Sequence, residues 1–161
     1  MTSSLEMAIR TEARLLDEVS LDHWLAMYTQ DATYWVPMDE KADPTKASSV
    51  IFDNHYRLQM RVEQTMRQNR VAQQPPSQML RMITNFEIVS ETAETASVRY
   101  AQLLIETRAG DWRQQGLGET RLYPGRCFVD LRKGDDTWQF VRKKVVLLNR
   151  YLPLEGVSFI I

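Results

Sequence analysis

The sequence predicts an α+β fold, with N-terminal helices packed on one face of a strongly curved, mostly antiparallel sheet. Three observations lead there. Apolar residues recur at helical spacing in the first part of the chain. After residue 78 the period drops to two. The two regimes are segregated rather than interleaved, which favours α+β over a parallel βαβ arrangement. The 161 residues fit one domain, 1–161, long enough to bury a core without disulfides or structural metal. A bent sheet closed by helices makes a cone with a cavity at its open end.

The elements follow in order. Leu5, Ala8, Ile9, Leu16 and Val19 mark a first helix. Ser20 is a candidate cap for a second helix, with Leu21, Trp24, Leu25 and Tyr28 on one face. Residues 33–36, TYWV, read as a short strand that Pro37 ends. Residues 38–48 are a polar loop and 48–53 a short strand. Asp53 or Asn54 caps a third helix over about residues 55–69, whose buried stripe is Leu58, Val62 and Met66. Residues 71–78 form a stiff connector, because neither proline of its Pro-Pro pair can donate a hydrogen bond.

Four long strands come next. Leu80, Met82, Phe86 and Ile88 mark the first; Ala96, Val98, Tyr100, Gln102 and Leu104 the second. Cys127, Val129 and Leu131 mark the third, and Val141, Val145 and Leu147 the fourth. Residues 108–118, with three glycines, form a hairpin tip. Pro124-Gly125 suggests a bend or bulge, and Gly134-Asp135-Asp136 a turn.

Composition narrows function. A formal net charge of −1 gives no general attraction to nucleic acid or anionic membrane. No run of eighteen apolar residues marks a membrane span. Glu6, Glu12 and Asp17 interrupt any signal-peptide core, and the one cysteine agrees with a reducing cytoplasm. One cysteine and two histidines (His23 and His55) are too few for a Rieske cluster. They supply a non-haem iron triad only if both histidines are committed, and their flanks lack ligand spacing.

Several stretches resemble, in order, the small (β) subunits of aromatic ring-hydroxylating dioxygenases. They are EARLLDE (12–18), WLAMYTQDATYWVP (24–37), SSVIFDNHYRLQMRV (48–62), PPSQMLRMITN (75–85), GRCFVDLRKGDDTWQFVRKKVVLLN (125–149) and LPLEGVSFII (152–161). Two positions depart from the commonest pattern: Gln78 replaces an Arg after Pro-Pro-Ser, and Gln73 or Gln74 a His before the prolines. The resemblance implies a nuclear transport factor 2-like cone and assembly with a large (α) oxygenase subunit. It further implies a trimeric platform of small chains inside a hexamer of three large and three small chains. The Rieske 2Fe-2S cluster and the mononuclear iron then belong to the large subunit, with no cofactor or metal in this chain. The resemblance does not name the aromatic substrate.

Two readings of the residues compete. In the first the chain is a non-catalytic subunit with no catalytic residues of its own. Arg81, Asn85, Arg126, Arg150 and Tyr151, which lie in the resembling segments, are its candidate interface positions. Trp112, on the glycine-rich tip, and Phe159, in the apolar tail, join them. The tail ends Val-Ser-Phe-Ile-Ile and must be covered by the sheet, another subunit or both, since burial of each such side chain stabilises by about 1.5–3 kcal/mol.

In the second reading the chain is a free-standing dehydratase, isomerase or ligand-binding protein. Asp31, His55, Tyr28 and Tyr34 then do acid–base work in the cone, as in other enzymes of that fold. The plainer account has Asp31 capping a helix-to-strand junction and the tyrosines filling the cone. His23 reads as a surface or capping residue, and Cys127 as a small core residue. Arg61, Arg67 and Arg70 read as a solvated face. Of Arg142, Lys143 and Lys144, strand alternation sends at least one toward the sheet interior or a partner.

Overall fold

A computed structural model describes residues 2–67, 76–108, 119–152, 154 and 159–161. The elements are α1 (Ser4–Asp17), α2 (Leu21–Ala26), β1 (Tyr28–Pro37), β2 (Ser49–Asn54), α3 (His55–Arg67), β3 (Gln78–Glu91), β4 (Thr95–Thr107), β5 (Thr120–Lys133) and β6 (Trp138–Leu147). The strands form one sheet in the order β2-β1-β6-β5-β4-β3. Every pairing is antiparallel except β1 with β6, which closes first and last strands in parallel. α1 packs on β3 and β6, and α3 on β1 and β2. No helix among the described residues is long and apolar enough to cross a membrane.

α1 starts where Ser3 Oγ accepts the Glu6 N–H at 3.1 Å. It stops at Val19, which adopts φ 56° and is no part of the helical stripe. Val19 N–H reaches the Leu16 carbonyl and Ser20 N–H the Leu15 carbonyl, the paired bonds of a Schellman motif. That motif takes its left-handed residue just past the helix, so a helical reading of the apolar spacing runs two residues too far. Ser20 does not cap α2 with its side chain; its hydroxyl meets His23 Nδ1 at 3.0 Å. α2 ends at Ala26, so Tyr28 opens β1 rather than closing a helix. Asn54, not Asp53, caps α3 by accepting the Arg57 N–H at 3.0 Å. Asp53 instead holds Arg61, at 2.9 and 2.6 Å. Leu58 and Val62 are buried under α3, whereas Met66 is exposed.

The β strands correct the sequence reading in three places. On β3 the expected apolar face points outward: Leu80 and Met82 are more than half exposed, and Arg81 between them is buried. A register shift after Thr84, with Asn85 at φ 52°, changes which side chains face in farther along. On β6, register slips opposite Asp130 and Leu131, so Phe140 and Lys143 both face the core and Val141 does not. On β5, pairing with β4 runs through Pro124-Gly125 without a shift. Gly125 serves close approach instead: a Cβ there would lie 3.3 Å from Val145 Cγ1 and 3.3 Å from the Val146 carbonyl. Gly134 N–H closes the β5–β6 turn on the Thr137 carbonyl at 2.8 Å.

The core runs from Leu5, Ile9 and Leu16 of α1 through Trp24, Tyr28 and Tyr34 to Leu104, Val129, Phe140, Val145 and Leu147. Phe159, Ile160 and Ile161 belong to the same cluster. The expected hairpin tip at 109–118, the connector at 71–75 and Arg70 lie outside the described residues.

Candidate functional site

The interior of the cone is organised around one ion pair. Glu12 lies on the apolar stripe of α1, and Lys143 on the inner face of β6. Lys143 Nζ donates to both Glu12 carboxylate oxygens, at 2.9 and 2.8 Å. Trp24 Nε1 and Tyr28 Oη each donate to Glu12 Oε1 at 2.8 Å. Burial alone pushes the Glu12 carboxyl up, but the Lys143 charge and the three donors bring it below the usual range. Burial likewise opposes the charge on Lys143, yet the Glu12 carboxylate lifts its pKa above that of an ordinary lysine.

The aromatic stretch of residues 24–35 walls this centre. Trp24 and Tyr28 ring centroids are 4.7 Å apart, and Tyr28 stacks on Phe140 at 5.0 Å. Tyr34 Oη donates to the Ile161 carbonyl. Desolvation raises the Tyr34 phenol to about 12 and the Cys127 thiol to about 11, and raises Tyr28 well above its usual value. These groups therefore stay neutral, and the Glu12 carboxylate is spent on a lysine, an indole N–H and a phenol O–H. None is poised to exchange a proton near neutral pH.

The four residues of the acid–base reading do not make one site. Asp31 is not at a helix-to-strand junction; it stands exposed within β1, held by Arg132 at 3.0 and 3.3 Å. Hydrogen bonds from Arg132, then Thr29, draw its carboxyl down to about 2. Asp31, His55 and Arg132 border a surface hollow of about 630 Å³ together with Tyr28, but the Tyr28 hydroxyl turns inward to Glu12. Tyr34 lies wholly inside. Sequence reasoning missed Glu12; it expected at least one of Arg142, Lys143 and Lys144 to face the interior or a partner, and Lys143 is the one that faces in. The signal for Glu12 was a lone charge at an apolar position of α1, and that for Lys143 a charge in step with Val145 and Leu147.

The candidate interface residues also separate. Arg81 and Phe159 are turned into their own chain. Arg81 holds Asp17 through Nη1 at 2.5 Å and the Ile160 carbonyl through Nη2. Phe159 meets Tyr123 edge-on, with centroids 5.6 Å apart. Asn85 and Arg126 remain at the surface, bordering a shallow groove with Glu87, Arg99 and Phe128. Arg150 braces the β6 end through the Met38 and Leu147 carbonyls, at 3.1 and 2.8 Å, and lies over the exposed Tyr151 ring. Trp112 lies outside the described residues. Lys144, the neighbour of Lys143, faces the other way, bonded to the Glu40 carbonyl at 2.8 Å over Trp35.

Among the described residues no three His, Cys, Asp or Glu side chains gather as a metal site. His23 is exposed, His55 sits at the hollow, and Cys127 is sealed in the core. This donor set does not fit an iron centre of either kind.

Helices laid on one face of a six-stranded mixed sheet define a nuclear transport factor 2-like cone. The same architecture is found in an NTF2-like protein with a cystatin-like fold from Novosphingobium aromaticivorans (TM-score 0.60, 14% identity, 91% of this chain and 80% of that one). Residues 11–154 match the ring hydroxylating beta subunit family, and the chain belongs to that family. It is 30% identical over 142 residues to the small oxygenase component of the p-cumate 2,3-dioxygenase system of Pseudomonas putida, spanning 80% of this chain and 79% of that protein. Among solved structures, the beta subunit of benzoate 1,2-dioxygenase from Burkholderia mallei superposes with a TM-score of 0.73 at 25% identity, covering 97% of this chain and 95% of that one. The chain is thus a small, non-catalytic subunit of an aromatic ring-hydroxylating dioxygenase, rather than a free-standing cone-fold enzyme.

Proposed function

We propose that this chain forms a homotrimeric platform that holds three large oxygenase subunits in register, in the cytoplasm, as an enzyme for cis-dihydroxylation of an aromatic carboxylate. The Rieske cluster and mononuclear iron reside in the large subunit. Electrons from NAD(P)H pass there, and both atoms of O₂ enter the ring. The small chain contributes fixed geometry, which electron transfer across subunit borders requires. The substrate class follows the relatives, whose names specify p-cumate and benzoate.

The observation that carries the assembly role is the outward face of the sheet. Leu80, Met82 and Leu122 are each more than half exposed, on strands that are neighbours of β4. Leu80 and Leu122 are both opposite Ile105, so they stand on one continuous face. Leu148 and Leu152 beyond β6 are exposed as well. A contiguous apolar face of this kind marks a protein contact. Two residues beyond Met82 and Leu103 along the same face, Thr84 and Arg126 flank Ala101, with Asn85 next in the chain, and the face turns polar.

The test is reconstitution. Sedimentation of the purified chain gives a trimer, and co-expression with a Rieske-type large subunit gives a hexamer that oxidises benzoate when an NADH-dependent reductase component is supplied. A monomer in both experiments, or full turnover by the large subunit alone, overturns the reading.

A further inference from the structure

We propose that residues 159–161 are the resident occupant of a ligand site inside the cone, and that a small apolar carboxylate binds there in their place. The tail is held as a ligand is held. Tyr34 Oη donates to the Ile161 carbonyl, Arg81 Nη2 donates to the Ile160 carbonyl, and the Phe159 ring packs edge-on against Tyr123. All three tail side chains are buried in the core cluster.

The site has more hydrogen-bonding capacity than the tail uses. Arg81 Nε, a donor, and Gln102 Oε1, an acceptor, are buried with no hydrogen-bond partner among the described residues, and Tyr100 Oη lies buried near the Cys127 thiol. All three residues are more than nine-tenths buried. They share one region. Gln102 follows Tyr100 on the inner face of β4, and Arg81 faces Leu104 across the β3–β4 ladder, diagonal to Gln102.

Ligand chemistry follows from the guanidinium. Nη1 is taken by Asp17. The remaining Nε–Nη2 edge is a two-donor fork that a single carbonyl satisfies on one side only. A carboxylate accepts from both sides, and Tyr34 and Tyr100 are further donors nearby. Asp17 already balances the Arg81 charge and Glu106 is buried at Tyr123, so the anion adds a charge that only these donors and the release of the tail offset. The body of the ligand takes the apolar space of Phe159 and Ile161, which suits an aryl or short alkyl group. The site is distinct from the assembly role and does not depend on it.

Benzoate is the probe, used on the full-length chain free of any large subunit. In the unaltered chain, benzoate competes with the tail and speeds amide hydrogen exchange at residues 159–161 as it saturates. Phe159→Ala loosens the tail and tightens benzoate binding at least about tenfold by calorimetry. Arg81→Lys in that background keeps the charge, removes the fork and abolishes the gain, and toluene shows none of it. Unchanged tail exchange at saturating benzoate overturns the proposal, and so does equal affinity in Phe159→Ala and the unaltered chain. Should Phe159→Ala fail to fold, exchange in the unaltered chain decides alone.

Discussion

Glu12 and Lys143, 131 residues apart, form an ion pair in which neither side chain has any exposed surface. It ties α1 to the strand that closes the sheet in parallel with β1. Pairs of this kind are weak sources of net stability, because taking both charges out of water costs nearly what their attraction returns. Breaking one half is different. Lys143→Met leaves a buried carboxylate with only two neutral donors, and urea unfolding should show a loss of about 3–5 kcal/mol. The double variant Glu12→Leu/Lys143→Met should lose much less than the sum of the single changes.

The same pair sets a pH profile. Glu12 has a lowered pKa in the fold, so its contribution is present above the ordinary glutamate range and is lost as pH falls through the folded value. Lys143, Tyr28 and Tyr34 have raised values, so their contribution is present below about pH 10 and is lost as pH rises further. Thermal unfolding followed by circular dichroism should be flat in between and fall on both sides. The double variant should flatten the acid limb.

Asp31→Asn and His55→Gln should leave turnover of the assembled oxygenase unchanged. Asp31 spends its charge on Arg132 at the surface, and the interior tyrosines are out of its reach. A steep loss in kcat at unchanged assembly would revive acid–base chemistry in this chain.

Leu80→Glu with Met82→Glu should abolish the trimer while the circular dichroism spectrum persists. Both residues are surface groups in the isolated chain, where such changes shift stability by about 0.5 kcal/mol or less. Sedimentation velocity reads the outcome; a trimer that survives both charges shows that the interface lies elsewhere.

Gly125→Val should destabilise by about 1–3 kcal/mol, because its branches would press on the Val145 side chain and on the Val146 carbonyl, which cannot swing aside. Denaturant midpoints compare it with Gly125→Ala, whose smaller intrusion should cost less.

The amino-acid sequence by itself determined the element order, the α+β class and the family. Helical spacing, period-two alternation and turn residues are local signals, and six ordered segments carry the resemblance. It also determined that too few histidine and cysteine donors are present for a Rieske cluster. Tertiary structure decided which face of each strand is inside. Alternation gives two faces without saying which one the helices cover, so Leu80 and Met82 read as core while Arg81 took the interior. The bulges beside Asn85 and opposite Asp130 reset that choice partway along a strand, and no local pattern announces them. Only the fold could join Glu12 to Lys143 or seat residues 159–161 against Tyr34 and Arg81. Such contacts depend on where distant segments meet in space, a property of the closed cone and not of any window of the chain.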